Sequence, residues 1–389
     1  MSVCFPLGFR ASGVAAGIKA SGAPDLAIVA CDSEAPTAAA AFTRNHAAAA
    51  PVLLSRAHVA NGRARAVVIS SGNANACTGV QGDLDAREMA ELAARALGFR
   101  ADDVLVCSTG VIGHRLPMPA IRIALPRAIE ALSGDGGMRA AEAIRTTDAF
   151  SKVATRELGG VRIGAMAKGA GMIRPNVATM IVVVTTDAAV QPRLLQQLLG
   201  DATRRSLNLV SVDGSESTND TVCLLASGAS GVTVGEGASD EFSAALRDCL
   251  LDLGKQMVRD GEGASRFAHY VLEGARSDAQ AEIGVRAVGE DLLVRCALHG
   301  ADPNWGRMMA RLGSCGIELD HRAVSIRIGG AALVEGGVEQ PEHRPTAHAA
   351  MRSDEVAIEI DLALGSGRSE LYASSLTPAY VEFNAEYST

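Results

Sequence analysis

Apolar residues along this 389-residue chain fall into two recurring patterns. In "LAIVACD" (26–32), "RAVVISSGNAN" (65–75) and "DDVLVCSTG" (102–110), short apolar runs end in polar or Gly-bearing loops, which predicts buried strands. "DAREMAELAARALGF" (85–99) and "MRAAEAIRTTDAF" (138–150) instead space their apolar residues as one face of a helix. "ATMIVVVTTDA" predicts a strand buried on both faces. "QPRLLQQLLGDATRRSLN" follows it as a helix with Pro in the first turn. The longest predicted helix is "DEFSAALRDCLLDLGKQMVRD" (240–260). From about 283 strands return, in "GEDLLVRCALHG", "RAVSIRIGG", "EVAIEIDLALGSG" and "SELYASSLT".

This mixture predicts an α/β protein with mixed or antiparallel sheets, long enough for two interlocked lobes. The regular β-α-β alternation with GxGxxG that marks a dinucleotide fold is missing. Composition narrows the function. A formal net charge of -8 argues against a nucleic-acid or anionic-membrane partner, since both need a basic face. No stretch reaches the apolar length of a membrane span, and the N-terminus lacks the basic start and apolar block of a secretion signal. The eight cysteines are scattered, without CxxC pairs or zinc spacing, and mostly read as small core hydrophobes. The expectation is a cytoplasmic protein with no metal and no bound cofactor.

Five segments carry candidate chemistry. In "KGAGMIRPNVATM", a Gly- and Pro-containing loop meets the strand at Thr179. The plain reading of Thr179 is β-propensity at a strand start. The chemical reading makes it a nucleophile. If the Ala178–Thr179 bond were cut, the freed α-amine, with a pKa near ~8, would be the base beside its own Oγ. In "CSTGVIG" (107–113), Thr109 and Gly110 sit at a tight turn able to present donors to an oxyanion, or form an ordinary Gly turn. The polar run "SVDGSESTNDTV" (211–222) lies between apolar runs, so it is either a paired network or a long solvated turn. Glu262 in "DGEGASR" is a carboxylate suited to a ligand ammonium, or a plain loop residue. Trp305 in "HGADPNWGRMMARLG" reads as a packing or interface anchor at the start of a helix.

Taken together, the segments resemble the ornithine/glutamate N-acetyltransferase family of arginine biosynthesis. The resemblance rests on "GFRASGVAAGIK", "SSGNANACTG", "STGVIG", "KGAGMIRPNVATM", "VDGSESTNDT", "DGEGAS", "ADPNWGR" and "EFNAEYST", eight motifs in one order along nearly the whole chain. It implies an αββα-like fold of the N-terminal-nucleophile type and self-cleavage between Ala178 and Thr179. The products would be fragments 1–178 and 179–389, the latter ending in a smaller α/β lobe from about 283, assembled as two copies of each. It implies that Thr179 takes an acetyl group from N-acetylornithine and passes it to glutamate, with acetyl-CoA as a further co-substrate in some members.

Position by position, the resemblance makes Thr179 the nucleophile and its freed amine the base. Thr109 and Gly110 become the oxyanion hole; Thr146, Lys168, Glu262, Asn384 and Thr389 become substrate contacts. Three features depart from the family pattern: Arg174 before the junction, Arg145 in "IRTTDAF", and Ser265–Arg266 in "GEGASR". They bear on donor and acceptor identity and leave the nucleophile and oxyanion positions intact. Two alternatives share the scaffold: an amidase or peptidase in which water replaces glutamate, and an acyltransferase of secondary metabolism.

Overall fold

The apolar runs of the N-terminal half pair side by side in the computed structural model, which describes residues 2–174, 180–235, 237 and 239–386. The described residues up to Asn208, together with Ser215–Met257, make one compact unit; Leu209–Gly214 and those from Val258 onward make the other.

The first unit holds two sheets. The four-stranded sheet runs Phe9–Val14, Leu26–Cys31, Ala66–Asn73, Val104–Val111, with the last two strands parallel. The five-stranded sheet runs Thr37–Phe42, Thr221–Ala226, Ile181–Thr186, Val161–Lys168, Lys152–Leu158. Period-two alternation sends Val29, Val67, Ile69 and Cys107 of one sheet into a shared core with Met166, Ile181, Val183 and Cys223 of the other. The opposite residues of the first sheet, including Ile28, Val68 and Val106, pack against Met89 and Ala93 of the helix Gly79–Leu97 and Ile121 and Leu125 of Met118–Glu130. On the second sheet, Val182, Val184, Val222 and Leu224 are equally buried on the other face. The helices Pro192–Arg204 and Ser239–Arg259 lie against its edge strands: Gln196 bonds both backbone groups of Ala40, and Gln256 donates to the Val153 carbonyl at 3.1 Å. The mixed α/β layering expected from the sequence is therefore present, with helices beside both sheets.

The second unit is built on one seven-stranded sheet in the order Val210–Ser211, Gly367–Ser374, Phe267–Ala275, Glu355–Asp361, Ser325–Ile328, Ala331–Glu335, Val338–Glu339. Tyr270, Leu272, Ile326 and Ile358 pack on Val285 and Val288 of the helix Asp278–Glu290 and on Leu312 of Trp305–Ser314. Trp305 is partly buried against this core, as a packing anchor, and Asn304 caps its helix by accepting from the Arg307 amide.

Two elements differ from the sequence expectation. "GEDLLVRCALHG" was expected as a strand but contains the helix Leu292–His299. Asp291 caps it by accepting from the Leu293 and Val294 amides, and its buried residues Val294, Ala297 and Leu298 follow helical spacing. Cys296 consequently faces outward and is exposed; Cys77 is exposed too, whereas Cys31, Cys107, Cys223 and Cys249 are buried as small hydrophobes. The expected helix 138–150 spans only Gly137–Ala143. Its continuation is drawn into a turn, because the Asp148 carboxylate takes the Thr146 amide and Arg145 donates to the Asp148 and Ala149 carbonyls.

Candidate functional site

The paired strands Ala66–Asn73 and Val104–Val111 end in two glycines that face each other, Gly72 and Gly110. Gly110 has φ +130°, and a Cβ on it would lie 2.3 Å from the Gly72 carbonyl carbon, so only glycine fits. Thr109, next to it, is 9% exposed and pairs with Ser71, whose hydroxyl donates to the Ala143 carbonyl at 2.6 Å. This ties the Thr109–Gly110 end to the segment carrying Thr146. The following loop holds Asn75 and Cys77 in left-handed conformations, and such backbone strain clusters at functional positions.

The polar run 211–222 is resolved in favour of a network at its second half. Thr218, Asn219, Asp220 and Thr221 are all buried. The Asn219 amide nitrogen donates to Ala74 O at 2.5 Å and Ser108 O at 2.9 Å, and its oxygen accepts from the Thr218 hydroxyl. One side chain thus clamps both the "GNANA" loop and the strand end bearing Thr109 and Gly110.

The strand Ile181–Thr186 begins between Lys168, which pairs with Ile181 on one side, and Thr221, which pairs with it on the other. The Thr221 amide also donates to Met180 O at 2.9 Å. Ahead of the junction, Gly169 has φ +148° and Met172 is left-handed. Ala178 and Thr179, like Thr389, lie outside the described residues.

Lys168 is 9% exposed and sits in the field of two buried aspartates with opposite character. Burial alone would raise Asp148, but the Lys168 and Lys152 charges and the Gly169 N–H bring it down to about 2. Its Oδ1 accepts from Lys152 Nζ at 2.6 Å and from the Gly169 amide at 2.7 Å, and its Oδ2 from the Thr146 amide at 2.9 Å. Asp220 is pushed far up by burial, only partly offset by Ser217 and by Lys168, and its Oδ2 has no hydrogen-bond partner. The surroundings of Asp148 thus favour its charged form, whereas burial favours the protonated form of Asp220. Lys19 of the "GFRASGVAAGIK" motif is drawn down mainly by burial and feels Asp25, Arg145, Asp148 and Lys168.

The second unit brings together Glu262 and Asn384, 122 residues apart in sequence: the Asn384 amide donates to Glu262 Oε2 at 3.1 Å. Asn384 is carried by the helix Pro378–Glu386, whose first turn is fixed by Thr377, donating to Gly263 O at 2.6 Å and accepting from the Tyr380 amide. Gly263 has φ +65°, and a Cβ there would meet Tyr380 N at 2.5 Å. Arg295, buried, donates to Ser374 O and Val212 O and braces the strand ends beneath.

The three departures from the family pattern have structural partners. Arg145 holds the Asp148–Ala149 carbonyls, Arg174 pairs with Glu216 at 3.9 Å, and Arg266 caps the helix Leu292–His299 through Leu298 O and His299 O. Asp148, Lys152, Asn219, Asp220 and Arg295 were not singled out from sequence. The only available signals were their places in "RTTD" and "STND" and a lysine at the head of a strand. Among the described residues no group of three or more His, Cys, Asp or Glu is placed to hold a metal, and no helix is long and apolar enough to cross a membrane.

The ArgJ family model matches residues 10–389. The arginine biosynthesis bifunctional protein ArgJ of Thermobifida fusca is 45% identical over 389 residues, covering 100% of both chains. That of Geobacter sulfurreducens is 44% identical over 393 residues, covering 98% of this chain and 99% of its own. Among solved structures, the arginine biosynthesis bifunctional protein ArgJ from Bacillus halodurans is 33% identical with a TM-score of 0.51, covering 53% of this chain and 98% of its own.

Proposed function

This chain belongs to the ArgJ family, and on that premise we propose that it cuts itself before Thr179 and then transfers acetyl from N-acetylornithine to glutamate. In the cut, Thr179 Oγ attacks the Ala178 carbonyl and the C–N bond breaks. The nitrogen takes the hydroxyl proton to become the α-amine, and water hydrolyses the Ala178 ester. The freed hydroxyl then attacks the acetyl carbonyl of N-acetylornithine, with its own amine as base. Donors at Thr109 and Gly110 stabilise the oxyanion, ornithine leaves as the protonated amine, and the glutamate amine takes the acetyl group from Thr179. Lys168 and Thr146 serve the substrate carboxylate and Glu262, with Asn384, its ammonium; Thr389 is a further contact.

The observation that carries this reading is the setting of the strand Ile181–Thr186. It is fully buried, its first residue is flanked by Lys168 and Thr221, and the loop before the junction holds Gly169 at a positive φ and Met172 in the left-handed region. The Bacillus halodurans chain, matched over 98% of its length, spans 53% of this one. A fragment starting at Thr179 would have 389 − 178 = 211 residues, a similar share. Acetyl-CoA as a second donor, assembly of two copies of each fragment, and work in the cytoplasm complete the proposal. No bound cofactor enters any step.

The test is a denaturing gel with N-terminal sequencing of freshly purified protein. Two bands, one beginning Thr-Met-Ile-Val, are expected; a single intact chain with transferase activity would sink the reading. Thr179→Ala should stay uncut and inactive. Acetylglutamate measured against free acetate separates transfer from hydrolysis.

A further inference from the structure

Asp148 touches more of the first unit's candidate residues than any motif suggested. Its side chain is fully buried and makes three charge-assisted contacts, to the Thr146 amide, the Gly169 amide and Lys152 Nζ. Its own carbonyl is held by Arg145 at 2.7 Å. Thr146 follows a helix end; Lys168 ends the strand Val161–Lys168, which the chain leaves at Gly169. These two backbones share no sheet ladder at this point, so the carboxylate bridging their amides sets the spacing between them. Lys152, fully buried and four residues on, balances the charge through its bond to Asp148 Oδ1.

We infer that Asp148 is a positioning residue for substrate recognition: one carboxylate, bridging the Thr146 and Gly169 amides, fixes Thr146 and Lys168 at the spacing that receives the substrate carboxylate. This rests on the reading of Thr146 and Lys168 as substrate contacts. An amide in place of the acid cannot serve both N–H groups and the Lys152 ammonium, because its nitrogen is a donor facing donors. The misfit moves one contact residue relative to the other. A displacement of that kind costs binding steeply, since recognition of a rigid carboxylate depends on geometry.

The experiment compares Asp148→Asn with Lys152→Met, after confirming that both chains are cut. Lys152→Met breaks the same buried pair but leaves both amides bonded, so it controls for lost stability. The expected result is a rise in KM of about tenfold for N-acetylornithine in Asp148→Asn, with kcat little changed, and a KM near wild type in Lys152→Met. The methyl ester of N-acetylornithine, lacking the carboxylate, should show no such difference between Asp148→Asn and wild type. If Asp148→Asn does not fold, the double variant Asp148→Asn/Lys152→Met, which buries no unpaired charge, carries the same comparison. An unchanged KM, or equal KM rises in the Asp148 and Lys152 variants, overturns the inference. Lys168→Met tells the two levels apart: if it leaves KM unchanged, the substrate-contact reading fails; if it raises KM while Asp148→Asn does not, only the role of Asp148 fails.

Discussion

The polar groups around Lys168 in the first unit and those around Glu262 in the second are held in different ways. In the first, Asp148, Lys152, Asn219 and Asp220 are all buried, and Asp148, Lys152 and Asn219 are fixed by hydrogen bonds made away from water. In the second, Glu262 is half-buried and meets an exposed Asn384 at the surface. The difference teaches where stability and recognition are coupled. A buried charge must be paired, so groups held in this way are tied to the stability of the fold. A surface carboxylate is already solvated, so it can be tuned for a ligand at little cost to folding.

The sharpest way to break the comparison is Asp148→Ala. Removing one partner breaks the buried Asp148–Lys152 pair, and a loss of about 3–5 kcal/mol in chemical denaturation is expected. The pH dependence has a defined sign. The folded carboxyl lies near 2, below its unfolded value, so its contribution of about 2 kcal/mol is fully present above pH ~4 and lost as pH falls through about 2. The stability gap between wild type and Asp148→Asn should shrink over that window; a constant gap would contradict it.

Next in size is Asn219→Ala, which leaves Ala74 O and Ser108 O without their shared donor. A loss of about 1–3 kcal/mol is expected, together with a fall in kcat as the Thr109–Gly110 end loosens. If stability falls but kcat does not, the clamp is structural only.

Asp220→Asn sharpens the contrast inside the first unit, because it should cost nothing at neutral pH. Burial raises the folded carboxyl above its unfolded value, so the wild type loses stability as pH rises past about 4, until the folded value is reached. The amide has no such slope. Denaturation from pH 4 to 7 should show the variant gaining on wild type, and a destabilised variant at pH 7 would show Asp220 to be ionised.

A small effect on folding is also expected for Glu262→Gln, within about 0.5 kcal/mol. Its effect on substrate should nonetheless be large, with KM for N-acetylornithine up roughly tenfold from the lost charge-assisted contact. Matching losses of stability and binding would erase the distinction between the two regions.

Much of the fold was readable because buried strands repeat every two residues and helices every three to four. The strand Thr37–Phe42 was not. "TAAAAF" has no β-branched run, and alanine's local preference is helical. It is a strand because each residue pairs with Thr221–Ala226, a partner nearly two hundred residues on. "LLVRCALHG" failed the opposite way: its apolar residues fit a strand until the Asp291 cap selected the helix. Among the candidate site residues, Thr109, Gly110, Glu262 and Asn384 were picked out by their motifs. Asp148 and Asn219 carry no periodic signal, and their importance lies entirely in which backbone groups they reach.

The order of the motifs and the spacing of apolar residues were enough to identify the family, the α/β class and the candidate nucleophile at Thr179, because covalent sequence alone sets them. Tertiary structure decided that the surroundings pull one buried aspartate toward its charged form and push another toward its protonated form. It also decided that Asn384 meets Glu262, and that Arg145, Arg174 and Arg266 serve turns, an ion pair and a helix end. Those outcomes depend on desolvation and on hydrogen bonds through space, and neither is a property of a residue's neighbours along the chain.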